Sequence, residues 1–204
     1  MSIFIKPHIS ADPKLLQLQD DHFKRTADLC FRHLQGAYRN SIEMRKHDWI
    51  VSVKNIDPRF GRAEYLSSLT DYTYYLSEEY SQSIAAVLFA HIWLLSAANY
   101  YRLLVKSNRP PPQKVPLESV SSPQLIAEAL KLKPAIIDIA EELHAVRNSI
   151  AHLVESKSKT FRIDSLDFRA AYRYIKVTWL IYMKLLNYYQ VTADSGLMTW
   201  RIQT

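Results

Sequence analysis

Glycine is almost absent from the sequence, which has only Gly36, Gly61 and Gly196 among its 204 residues. Sheet-based folds of this size need many tight turns, and turns that require a positive φ usually place glycine there. Apolar residues instead recur at intervals of three and four over long stretches, which is the spacing of one face of a helix. The hydrophobic fraction of 48% is that of a globular protein. The sequence therefore predicts an all-α helical bundle of about five to six helices.

Helix boundaries follow from capping residues and prolines. We predict helices over 14–46, 62–76, 78–106, 123–132 and 135–154, and a final helix that Asp164 or Ser165 caps and that ends near Tyr189. Residues 47–61 are predicted to be a connection, and Gly36 is a point where the first helix could bend. Five prolines between residues 107 and 123 indicate a Pro-rich loop. Because neither side of this loop has a complete core of its own, we predict one domain over 1–204.

Positive charge is concentrated in the last quarter of the chain. Residues 156–204 contain eight Lys or Arg against three Asp and no Glu, and so supply most of the net charge of +6. Basic segments attract polyanions such as RNA, although a solvated surface helix has the same composition. Arg169, Arg173 and Lys176 recur at three- and four-residue steps among tyrosines, which makes them candidate RNA-binding residues.

Several functional classes are disfavoured by what the sequence lacks. Cys30 is the only cysteine, which rules out a disulfide framework and a zinc site built from thiolates. Residues 1–12 show no signal-peptide pattern, so we expect a cytoplasmic protein. The longest apolar run, 84–101, is shorter than a bilayer requires, so we predict a buried central helix and no membrane partner. Within that run, His91 is predicted to be a hydrogen-bonded core histidine. No cofactor or metal is expected.

The sequence Arg147-Asn148-Ser149-Ile150-Ala151-His152 combines groups that bind phosphate and move protons. Arginine stays charged and presents a planar set of donors that fits phosphate oxygens. Histidine, with an ordinary pKa of about 6.5, exchanges a proton near neutral pH. At about 100° per residue, the apolar side chains of this helix fall on one arc and Glu141, His144, Asn148 and His152 fall on another. The pattern favours acid–base chemistry on a phosphodiester, without a metal.

Arg147 and His152 do not share a helix face, because they are five positions apart and so point roughly 140° away from each other. The two groups would meet at one phosphate if the helix loosened near its end, or if a second subunit completed the site across a two-fold axis. The same Arg-x4-His spacing also occurs often by chance. Equally, the polar residues Glu141, His144, Asn148 and His152 fit a solvated helix face with ordinary i,i+4 pairs.

The stretch 142–153, ELHAVRNSIAHL, resembles the signature of the HEPN superfamily. These are small all-helical domains with an Arg-x(4–6)-His motif, often with Asn, Asp or His directly after the arginine. Arg147 and His152 match that motif with four residues between them, and Asn148 occupies the polar position. The resemblance covers about a dozen residues, and beyond them the chain agrees only in being helical. It implies an RNA-cutting domain that needs no metal and is usually a homodimer.

The resemblance also implies a mechanism and a setting. His152 would exchange a proton with the ribose 2′-OH or the leaving 5′-oxygen, Arg147 would neutralise charge on the phosphorus oxygens, and Asn148 would orient the phosphate or the imidazole. His144 and Glu141 would support them. The products would be 2′,3′-cyclic phosphate and 5′-OH ends. Members of the superfamily act in toxin–antitoxin and antiviral defence systems, so an antitoxin or regulatory partner is expected. The alternatives are a catalytically inactive HEPN-like module that binds RNA or protein, and an unrelated helical adaptor.

Overall fold

The computed structural model describes residues 13–52, 62–108, 121–152 and 166–189, with side chains over 14–50, 64–103, 121–150 and 166–189. The regular secondary structure of these residues is entirely helical. In chain order the helices are α1 (Pro13–Arg45), α2 (Trp49–Ser52), α3 (Arg62–Asn108), α4 (Pro123–Ala129), α5 (Pro134–His152) and α6 (Phe168–Tyr189). The predicted all-α bundle of about five to six helices is therefore confirmed. The Pro-rich loop falls mainly on 109–120, outside the described residues, and the domain span of 1–204 stays a prediction.

Helices α1 and α3 form a long antiparallel pair. Their aromatic contacts run in opposite chain directions, from Phe23 against Tyr100 to His33 against Phe89. Helix α1 continues through Gly36 as one element, so the glycine does not interrupt the helix. A Cβ on Gly36 would lie 2.9 Å from Oε1 of Gln82, so the glycine leaves room for the α3 side chain. The close approach of the two helices explains this glycine.

Helix α3 is one element of 47 residues, and the predicted division near residue 77 is wrong. The stretch is rich in Ser and Thr, whose side chains compete for backbone hydrogen bonds and lower helix propensity. In the structure, the hydroxyls of Thr70 and Thr73 donate instead to the carbonyls of Leu66 and Leu69, four residues earlier, so they are accommodated within the helix. No proline or glycine interrupts 62–108. The Ser- and Thr-rich part of α3 therefore remains helical.

The ends of the shorter helices follow local chemistry. Ser122 caps α4 by accepting the N–H of Leu125, and the following Pro123 occupies the first turn as predicted. Helix α5 begins at Pro134, one residue before the predicted start. The cap of α6 is Asp167, whose Oδ1 accepts the N–H of Ala170 at 2.8 Å, rather than Asp164 or Ser165, which lie outside the described residues.

A carboxylate from another helix also fixes the start of α6. Oε1 of Glu79, on α3, accepts the backbone N–H of Phe168 at 3.0 Å. Burial raises the pKa of Glu79, while the hydrogen bond from Phe168 acts in the opposite direction. One of the amides that a helix start leaves without an intrahelical partner is thereby satisfied inside the protein. This contact holds α6 against α3.

One hydrophobic cluster joins α1, α3, α4, α5 and α6. Its largest fully buried side chains are Trp93, Tyr182, Phe23, Leu34, Leu94, Ile126, Leu143, Leu166, Ile181, Leu185, Leu186 and Val87. The hydroxyls of Tyr101 and Tyr182 lie 3.1 Å apart within it, so each has a hydrogen-bond partner despite burial. Cys30 is also buried there, and burial raises the pKa of its thiol. Helix α5 packs against the other helices through this cluster.

Part of α3, Glu64–Leu103, is long and apolar enough to cross a membrane. Half of its most apolar window is buried against other helices, and the central helix of a bundle passes the same test. The observation is weak evidence for a membrane span. The burial of Trp93 and Leu94 agrees with the predicted central helix.

Candidate active site on helix α5

Helix α5 buries one face and leaves a polar face at the surface, as the sequence predicts. Ala140, Leu143 and Val146 are fully buried. The partly buried Ile136, Ile139 and Ile150 pack against the same core. Because these contacts fix the rotation of the helix, they also fix the direction in which the polar residues leave it.

Three of the candidate site residues lie together on α5 and are hydrogen-bonded. An Nη atom of Arg147 lies 3.0 Å from Oδ1 of Asn148, and Nδ2 of Asn148 lies 3.1 Å from Nε2 of His144. All three side chains are half-buried. The guanidinium, amide and imidazole therefore form one connected group, in which Asn148 is the central member.

A fourth residue, His91 of α3, extends this group into the core. Its Nε2 lies 3.0 Å from Nδ1 of His144, and the two rings stack with centroids 5.3 Å apart. His91 is only 4% exposed, so the predicted hydrogen-bonded core histidine is observed. Its partner, however, is a candidate site residue, 53 positions away in the chain, and the sequence analysis did not connect the two. The four residues Arg147, Asn148, His144 and His91 are called the α5 polar chain below.

The surroundings of both histidines of the α5 polar chain favour the neutral form. Burial, together with the neighbouring His144 and the positive charge of Arg147, lowers the pKa of His91 to about 4. Burial, followed by the positive charge of Arg147, also lowers the pKa of His144. A neutral imidazole donates a hydrogen bond from one nitrogen and accepts one at the other, so each ring can link two neighbours.

The low pKa of His91 predicts a loss of stability in mild acid. Below pH 6.5 the unfolded chain takes up a proton on His91 that the folded protein does not. The free energy of unfolding therefore decreases as the pH is lowered. Between pH 6.5 and a folded pKa of about 4, the loss from this one residue should reach about 3 kcal/mol. Urea unfolding at pH 7, 6, 5 and 4.5 should show it. In His91→Gln, which has no titrating ring there, this part of the slope should disappear. Equal slopes for the two proteins would contradict it.

The remaining candidates occupy different places. His152 is the last residue of α5, and its side chain lies outside the described residues, so its relation to Arg147 stays a prediction. Glu141 is exposed on the polar face. Its neighbour Glu142 turns toward α6 instead, where Oε2 lies 3.3 Å from an Nη atom of Arg173. Among the described residues, no group of three or more His, Cys, Asp or Glu lies close enough to hold a metal ion.

The candidate RNA-binding residues lie on the solvent side of α6. Arg169, Arg173 and Lys176 are exposed, as is Lys184 further along the helix. Helix α6 has no Asp or Glu, so every charged group that it carries is a cation. Tyr172 and Tyr188 are 40% and 37% exposed on this helix, whereas Tyr174 and Tyr182 are buried. The four exposed cations, together with the exposed Tyr172 and Tyr188, are called the α6 basic face below.

Comparison with known proteins adds no assignment: no protein-family model, curated protein sequence or solved structure matches the chain.

Proposed function

We propose that the chain is a metal-independent endoribonuclease of the HEPN type. The observation that carries this proposal is the α5 polar chain, which holds Arg147 and Asn148 in a defined hydrogen-bonded arrangement on the helix that also bears His152. The arginine and histidine of the motif are thus supported by a core-packed helix, and the polar residue after the arginine has a structural partner on each side. Groups held in this way need little reorganisation when a phosphate binds.

The proposed reaction is an internal transfer at phosphorus. His152 removes the proton from a ribose 2′-OH, the 2′-oxygen bonds to the adjacent phosphorus, and the bond from phosphorus to the 5′-oxygen breaks. The leaving 5′-oxygen receives a proton from an acid, and the products carry a 2′,3′-cyclic phosphate and a 5′-OH. Arg147 neutralises the charge that grows on the non-bridging oxygens. DNA, which lacks the 2′-OH, is not cut by this route.

The second acid–base group is best supplied by another subunit. Both ring nitrogens of His144 are already in hydrogen bonds, to His91 and to Asn148, so His144 is poorly placed to give its proton to a leaving group. We therefore propose a homodimer in which His152 of the partner subunit provides the acid. Two copies of α5 would then form one composite site. A toxin or antiviral role in the cytoplasm, under an antitoxin or other regulator, completes the proposal.

Incubation of the purified protein with total RNA in EDTA tests the activity directly. We expect cleavage products that carry 2′,3′-cyclic phosphate and 5′-OH ends, and no cleavage of DNA of the same sequence. Products with other ends would contradict the proposed mechanism. RNA binding without cleavage would instead support the inactive HEPN-like module, an alternative favoured by the fact that Arg147 already donates one hydrogen bond to Asn148 on its own helix.

The α6 basic face is proposed to bind the RNA backbone. Each phosphate contact that a cation makes with a single strand adds about 0.7 to the slope of log affinity against log salt concentration. Removing two exposed cations in Arg169→Gln with Lys176→Gln should therefore lower that slope by roughly 1.4. Fluorescence anisotropy with a labelled single-stranded RNA, measured over a salt series, gives the slope.

The control for this measurement removes two cations elsewhere on the surface. Arg32 on α1 and Lys46, the residue after α1 ends, are both ion-paired and are changed to glutamine in the same way. We expect this control to keep the wild-type slope. If both double variants lower the slope equally, the α6 basic face has no special role in binding.

A further inference from the structure

The hydrogen bonds of the α5 polar chain can run in only one direction. A guanidinium has donors and no acceptor, so the Asn148 atom that faces Arg147 must be the carbonyl oxygen. The amide NH2 of Asn148 therefore points to His144 and donates to its Nε2. Since a neutral imidazole carries a single N–H, the proton of His144 is on Nδ1. Each donor thus points away from Arg147 and toward the core.

The same reasoning fixes the inner histidine. Nδ1–H of His144 donates to Nε2 of His91, which must offer a lone pair, so the proton of His91 is on its own Nδ1. A proton added to Nε2 of His91 would meet the N–H of His144, and a proton added to Nε2 of His144 would meet the NH2 of Asn148. Both additions break the chain, in agreement with the neutral state of the two rings.

We propose that His91 is a positioning residue of the proposed site, acting on Arg147 through His144 and Asn148. Its buried Nε2 is the fixed acceptor on which the chain ends. That acceptor sets the orientation of the His144 ring, the ring sets the orientation of the Asn148 amide, and the amide oxygen holds one arm of the guanidinium. The role in cleavage rests on the proposed function, whereas the proton positions on the two rings do not.

Imidazole proton positions are measured by long-range ¹H–¹⁵N correlation spectra of the full-length, ¹⁵N-histidine-labelled protein. We expect His144 and His91 both to carry their proton on Nδ1 near pH 7. His33 serves as an internal reference, because its Nδ1 lies 2.6 Å from Oε1 of Gln82 and so donates in a separate contact. A wild-type spectrum that places the His144 proton on Nε2 would overturn the inference.

In Asn148→Asp, the NH2 group that donates to Nε2 of His144 is replaced by a carboxylate oxygen of similar size, which can only accept. Both oxygens of a carboxylate accept hydrogen bonds, so Nε2 of His144 must then carry a proton. The ring either moves its proton from Nδ1, which lets His91 donate through Nε2, or gains a second proton. We expect a new Nε2–H signal for His144 and an unchanged signal for His33. A His144 signal that stays the same in Asn148→Asp would also overturn the inference.

Two replacements of His91 separate positioning from packing. The side-chain oxygen of His91→Gln can accept the His144 N–H, whereas His91→Phe fills space without an acceptor. Both variants are compared with the wild type, provided that they are folded and bind RNA with equal affinity. We expect His91→Phe to lower the cleavage rate by about 10- to 100-fold and His91→Gln to keep most of the wild-type rate. Equal rates for the two variants would overturn the positioning role. If the wild type does not cleave RNA, the proposed function fails while the spectra still decide the proton positions.

Discussion

Replacing Arg147 by alanine is expected to lower the rate of RNA cleavage by about 10²- to 10³-fold, because in the proposed site it removes a preorganised donor to the charge that develops on the phosphate oxygens. The structure gives this arginine a defined orientation through the 3.0 Å contact with Oδ1 of Asn148. The loss should appear mainly in the rate of the bound complex. Single-turnover cleavage of a labelled RNA in EDTA, at saturating protein, measures that rate.

Two further variants make this result specific. Arg147→Lys keeps the charge but loses the planar pair of donors, so we expect an intermediate rate. Arg32→Ala removes an arginine of α1 that is paired with Asp28 and exposed to solvent, and should leave the rate unchanged. If Arg147→Ala, with an unchanged circular dichroism spectrum, cleaves as fast as Arg32→Ala, the proposed site on α5 is wrong.

The fold could be predicted because its signals are local. The 3.6-residue apolar period of α5 gives the buried Leu143 and Val146 directly, and Pro134 marks its first turn. The division of α3 was wrong for the same reason, since local propensity weighs the Ser and Thr residues near 70–77 but not the packing of α1 along that helix. A helix of 47 residues is supported by its neighbours rather than by its own sequence.

The site could be predicted only in part, because its outer members share one helix and its inner member does not. His144 and Asn148 are four positions apart, so their contact follows from helical geometry. Arg147 and Asn148 are adjacent and leave the helix about 100° apart, so their contact depends on side-chain conformation as well. The contact between His144 and His91 depends on how far α3 is shifted along α5, and no residue pattern in the sequence determines that shift. A buried histidine in an apolar helix does indicate that a polar partner exists, but not which residue it is.

Trp93→Ala is expected to have the largest effect on stability, about 3–5 kcal/mol in the free energy of unfolding. Trp93 of α3 is fully buried and lies at the centre of an aromatic group from three helices. Its ring centroid is 5.3 Å from that of Phe31 on α1, and 6.0 and 5.1 Å from those of Trp179 and Tyr182 on α6. Truncation leaves a cavity that those rings, held by separate helices, cannot close. Urea unfolding followed by far-UV circular dichroism measures the loss.

Trp93→Phe should lower the free energy of unfolding by much less than the removed side-chain volume suggests. Among the described residues the indole N–H of Trp93 finds no acceptor, and a buried unpaired donor costs about 1–3 kcal/mol. Phenylalanine removes that donor while keeping a ring against Tyr182, so the smaller cavity is partly offset. Trp49→Ala, at a residue 43% exposed beside Tyr65, should cost about 1 kcal/mol or less. Equal losses for Trp93→Ala and Trp49→Ala would show that Trp93 is not at the junction of α1, α3 and α6.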